Sequence, residues 1–142
     1  MGKEDSGGSG GRRVIGGRVL DASTLVDFAL ERPYPHALVW TAVDHGIVLA
    51  VPAAALATAW ASLPTTAYDA LGVLLDLPDT IIEALDAKTA REVGRLLAGV
   101  DADAVRAGQV VGSGIRRGWP IVTADASALR AVDPRAEIDE LP

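Results

Sequence analysis

The chain has no cysteine among its 142 residues, so disulfides and thiolate zinc sites are excluded and nothing points to secretion. Aromatic residues make up only 4%, with a single Phe, so the core must be built mainly from alanine, leucine and valine. That composition suits helices packed on a sheet. No apolar run reaches the ~18 residues that a membrane span needs. Residues 1–13 hold no apolar core, so they read as a flexible tail and as neither a signal peptide nor an anchor. A soluble, cytoplasmic protein with no membrane part is expected. Positive charge is also scarce: the formal net charge is -6, which argues against coating nucleic acid. It leaves room for a nuclease whose acids are gathered around a metal.

What is present is one domain's worth of alternating strands and helices over residues 14–142. Val14, Ile15, Val19 and Leu20 read as a buried strand that stops at Asp21. Ser23 is a good N-cap for the helical pattern that follows over residues 25–30. The stretch 32–35, with two prolines, breaks the pattern; a helix over 36–45 ends at Gly46. Apolar residues 47–51 form a second strand. Pro52 opens a helix over 53–63, Pro64 ends it, and another helix spans 66–77. A third strand is read at 80–85, then helices over 87–97 and from Asp101 or Asp103 to Arg117, closed by Gly118. Gly108, Gly112 and Gly114 suit a helix pressed close to the sheet or to another helix. Residues 121–123 form the last central strand and 137–138 a weak edge. Strands separated by helices throughout imply a parallel sheet with right-handed crossovers.

Two strands end in an aspartate: Leu20-Asp21-Ala22-Ser23, and Val122-Thr123-Ala124-Asp125. A carboxylate at the C-terminal end of a buried parallel strand sits where open α/β sheets put their ligands. Magnesium and manganese take oxygen ligands, and nucleases use such ions to activate water and stabilise charge on phosphate. The two aspartates can share a site only if their strands are neighbours. Asp101 and Asp103 are further carboxylates near the start of the helix before the last central strand, where the macrodipole alone would also favour them.

The segments Val19-Leu20-Asp21-Ala22-Ser23 and Gly118-Trp119-Pro120-Ile121-Val122-Thr123-Ala124-Asp125, in this order with this spacing of elements, resemble the PIN domain family. The similarity is greatest to VapC-like proteins of high-GC actinobacteria and covers residues 18–139. The resemblance implies a three-layer α/β/α sandwich with a mainly parallel central sheet of four to five strands. It implies an RNA-cleaving, Mg²⁺- or Mn²⁺-dependent enzyme, often the toxin of a toxin–antitoxin pair, with a homodimer as the default assembly. Carried over position by position, Asp21 and Asp125 match the family's first and last aspartates. The family's glutamate falls on Thr58, and its remaining aspartate falls near Ala107, one helical turn after Asp103.

The expected catalytic and metal-binding set is therefore Asp21, Asp103 and Asp125, supported by Ser23, Thr58 and Thr123. The rival from another class is a PIN-like domain that has lost catalysis and binds RNA or a protein partner. A phosphatase-like site, which would also use a strand-end aspartate, wants a lysine near the last strands. The only lysines are Lys3 and Lys88, which rules it out. His36, His45 and the three tryptophans, Trp40, Trp60 and Trp119, read as packing residues, and Arg116-Arg117 as a solvated helix end.

Overall fold

The structure, a computed structural model, describes residues 16–142. The expected tail at 1–13 and the strand lead-in at Val14 and Ile15 lie outside the described residues. Among the described residues five parallel strands form one sheet: β1 (Gly17–Leu20), β2 (Val48–Pro52), β3 (Thr80–Glu83), β4 (Ile121–Thr123) and β5 (Ile138–Glu140), in the order β3-β2-β1-β4-β5. The helices are α1 (Ala22–Ala29), α2 (Pro33–His45), α3 (Ala53–Ser62), α4 (Tyr68–Leu75), α5 (Ala87–Leu97), α6 (Val105–Arg117) and α7 (Ala126–Val132). A 3₁₀ turn, Thr65–Ala67, precedes α4.

From β1 the chain steps outward to β2 and β3, then crosses back over to β4 on the far side of β1. Right-handed crossovers therefore put the helices of the two halves on opposite faces. α1 packs with α2, α3 and α4; α6 packs with α5 and α7 and lies over β1, β2 and β4. The strand order reverses between β1 and β4, which creates a crevice at their C-terminal ends. Asp21 and Asp125 both lie at that edge.

The core is aliphatic. Leu20, Leu25, Leu71, Leu74, Ile121 and Leu129 are fully buried, and truncating any such leucine to alanine costs about 2–5 kcal/mol. Glycines let α6 sit close to its neighbours. A Cβ at Gly108 would come within 2.8 Å of Val93 on α5, and one at Gly114 within 2.7 Å of Ile121 on β4. Gly46 and Gly118 hold left-handed φ values of 66° and 68° at the C-caps of α2 and α6, where L-residues are strained.

Several boundaries differ from those read in the sequence. α2 begins at Pro33, because the first turn of a helix has no internal use for the N–H that proline lacks. α1 begins at Ala22, so Asp21 is its N-cap, and Ser23 lies inside the helix. α6 begins only at Val105, which leaves Asp101 and Asp103 in the turn before it. There the Asp101 carboxylate accepts the Asp103 N–H at 3.0 Å, a local bond that competes with helix formation.

Candidate functional site

Asp21 is held by its position in the chain. It directly follows β1 with extended backbone (φ −79°, ψ 169°) and caps α1, its Oδ1 accepting the Ala22 N–H at 2.7 Å. The side chain is 1% exposed, so each carboxylate oxygen needs a partner. Thr123, which ends the neighbouring strand β4, donates its hydroxyl to Oδ2 at 2.8 Å. The second charge comes from α6: Arg106 donates through Nη1 to Asp21 Oδ1 at 2.5 Å. The other terminal nitrogen of Arg106 lies 3.7 Å from Asp125 Oδ2. One guanidinium thus stands between the two strand-end carboxylates.

The β4 end is organised around Thr123. Its hydroxyl oxygen accepts the Asp125 N–H at 2.9 Å while donating to Asp21. Ser23 accepts the Ala124 N–H at 2.9 Å, and Thr24 donates to the Val122 carbonyl at 2.6 Å. Together they pin the first turn of α1 to the end of β4. Asp125 precedes α7 but makes no side-chain cap, and its side chain is 51% exposed. Asp21 is therefore locked in place, whereas Asp125 projects into the crevice.

The crevice itself is a depression of about 350 Å³ lined by Asp21, Ser23, Asp27, Thr58, Arg106 and Asp125, among others. Thr58 thus lies in the acid pocket and contributes a neutral hydroxyl. Asp103 does not line it. That residue lies beside Asp101 in an adjoining depression that shares Arg106 with the first. Two residues of the site escape a reading of the sequence. Asp27 lies one turn beyond Ser23 on α1, a spacing visible in the sequence. No sequence signal marks Arg106, which stands next to Ala107, the position without its expected acid. A larger depression, about 380 Å³, between α5 and the start of α6 is walled by Leu85, Val93, Leu97, Val100 and Val105. Among the described residues its lining includes a single carboxylate, Asp101, and no basic side chain to organise chemistry. A third contains Tyr34, whose phenol is pushed up, first by burial and then by the adjacent Asp139.

Whether the acid pocket suits a divalent ion follows from its donor set. Magnesium or manganese demands several oxygen ligands at about 2.1 Å. Among the described residues, no three His, Asp or Glu side chains gather closely enough to hold a metal. Asp21 already directs one oxygen to Arg106 and the other to Thr123. A dication about 4 Å from a guanidinium would be repelled by on the order of 8 kcal/mol at an effective dielectric of 20. With Arg106 in place, these residues do not fit the ion.

The fold is a PIN-like α/β domain: a five-stranded, all-parallel sheet between layers of helices. It is similar to a chain of VapBC2 from Rickettsia felis, solved bound to a DNA fragment from its promoter. The TM-score is 0.66 at 13% identity, covering 90% of this chain and 100% of that one. It is also similar to a chain of FitAB bound to an IR36 DNA fragment, with a TM-score of 0.53 at 14% identity over 87% of this chain and 94% of that one. At these identities the likeness is one of fold. No protein-family model matches the chain, and no curated protein matches it in sequence.

Proposed function

We propose that this is a PIN-like domain of the toxin–antitoxin kind that acts by binding a protein partner rather than by metal-dependent cleavage of RNA. The observation that carries the proposal is Arg106, whose guanidinium spans Asp21 and Asp125 where a nuclease of this fold would need a divalent ion. Electrostatics points the same way. The pocket sets three carboxylates, Asp21, Asp27 and Asp125, against one guanidinium, and the chain carries a net charge of -6. RNA phosphates are repelled by that field unless a metal bridges them. The partner expected is a small DNA-binding protein of the antitoxin kind, since both similar structures are complexes bound to DNA.

A second reading, the Mg²⁺- or Mn²⁺-dependent ribonuclease, draws support from the exposure of Asp125 and from Thr58 facing the same pocket. In that reading Asp21 and Asp125 are metal ligands and Asp103 is a third acid brought in from the adjoining turn. One pair of experiments separates the two. The chain is co-expressed with the product of its neighbouring gene, and the isolated chain is assayed on single-stranded RNA with Mn²⁺ and with EDTA. A stable complex and no EDTA-sensitive cleavage are expected. EDTA-sensitive cleavage that disappears in Asp21→Asn would establish the ribonuclease instead.

A further inference from the structure

Arg106 lies in the first turn of α6, where a positive side chain is disfavoured. The unpaired N–H groups and the aligned peptide dipoles make that helix end positive. The same turn has no acidic residue, and its N-cap, Ala104, makes no side-chain bond. Nothing in the helix itself therefore favours a cation there. What holds the guanidinium is Asp21 at 2.5 Å, 1% exposed, with Asp125 at 3.7 Å on its other terminal nitrogen. Arg106 is itself only 27% exposed. Burying a carboxylate as deeply as Asp21 is costly unless it is paired and hydrogen-bonded, and Arg106 supplies the pairing.

We propose that Arg106 is the resident cation of this pocket: its guanidinium neutralises Asp21 and Asp125 in the place of a divalent ion, so the strand-end site is built and closed without metal. The proposal rests on the partner-binding reading above and sharpens it, because it concerns what the acids bind and not what the domain binds. Arg106 acts as a positioning residue. It pins α6 to the ends of β1 and β4 through the two carboxylates. The position after it, Ala107, is 4% exposed and offers no side-chain oxygen to take over the role of a ligand.

The test removes the guanidinium and asks whether a metal takes its place. Thermal melting of the full chain, of Arg106→Ala, of Arg106→Lys and of Arg106→Ala/Asp125→Asn is followed in EDTA and in about 5 mM Mn²⁺. The natural chain is expected to melt at the same temperature in both buffers. Arg106→Ala should melt several degrees lower in EDTA and recover much of that loss in Mn²⁺. Arg106→Lys, which keeps the charge, should not respond to Mn²⁺, and the double variant should lose the response that Arg106→Ala gains. A purely structural arginine would give the first loss but not the metal-dependent recovery. Should Arg106→Ala fail to fold in EDTA, Mn²⁺ must restore its folding, read by circular dichroism; failure to do so overturns the proposal. So does a natural chain that gains as much from Mn²⁺ as Arg106→Ala does. Neither readout involves RNA or a partner, so a missing partner would leave the resident-cation result standing.

Discussion

Two ion clusters sit at opposite ends of α6, and the helix dipole treats their cations oppositely. At the N-terminal end one guanidinium, Arg106, serves two carboxylates, Asp21 and Asp125. At the C-terminal end two guanidiniums share Glu83 on β3, Arg117 at 2.5 Å and Arg116 at 3.1 Å, and Arg116 reaches a second carboxylate, Glu92 on α5, at 3.4 Å. The helix dipole favours the second arrangement and opposes the first. Arg116 and Arg117 would be comfortable at that helix end with water alone, and Arg117 also stacks 4.9 Å over the Trp119 ring. Arg106 has no such alternative. A cation kept where its own helix disfavours it, against an aspartate that is almost wholly buried, is there for its partners.

The contrast can be broken most severely at Asp21. Asp21→Ala removes the cap of α1, the acceptor for Thr123 and the counter-charge of Arg106 together. A loss of about 3–4 kcal/mol in urea denaturation is expected. Glu83→Gln removes the shared carboxylate of the other cluster, yet Arg116 there is 48% exposed and keeps Glu92 at 3.4 Å, and Arg117 keeps its contact with the Trp119 ring. The expected loss is about 1–1.5 kcal/mol, and a loss equal to that of Asp21→Ala would erase the distinction between the two ends. Thr123→Val keeps shape but deletes the hydroxyl shared by Asp21 and the Asp125 N–H. About 1 kcal/mol should be lost, measured by the same denaturation. Asp125→Asn should cost under about 0.5 kcal/mol, since its pairing is long and solvated.

A third pair serves as a control for pH. Arg135 holds the Asp133 carboxyl below its usual range, chiefly through their side-chain hydrogen bonds. A lowered native pKa stabilises the fold above the unfolded value and loses that contribution as pH falls through the native one. Asp133→Asn should therefore lower stability at neutral pH and flatten its fall below the ordinary value of 3.8, seen in melts across acid pH.

The fold was legible because its signals are local. Residues 47–51 are an unbroken apolar run and 121–122 an apolar pair closed by Thr123, and Gly46 and Gly118 mark helix ends where they occur. The convergence of Asp21 and Asp125 was legible only conditionally, since it required β1 and β4 to be neighbours. Other features were hidden for physical reasons. Ser23 has the chemistry of an N-cap, but Asp21 precedes it and takes the cap, which frees the serine to bind β4. Asp103 looked like a helix-start acid, but the Asp101 bond to its N–H delays the helix until Val105. Arg106 could not be read at all, because its partners lie 85 and 19 residues away and only the crossover of α6 brings them together.

The pairing of Arg106 with Asp21 is tested most directly by a double-mutant cycle in metal-free buffer. Stabilities of the natural chain, Asp21→Asn, Arg106→Gln and the double variant are measured by urea denaturation with EDTA present. If the guanidinium is the counter-charge that keeps Asp21 in the fold, the coupling energy should be about 1.5–3 kcal/mol, each single change costing more than its share of the pair. A coupling below about 0.5 kcal/mol, the level expected of independent sites, would contradict the account.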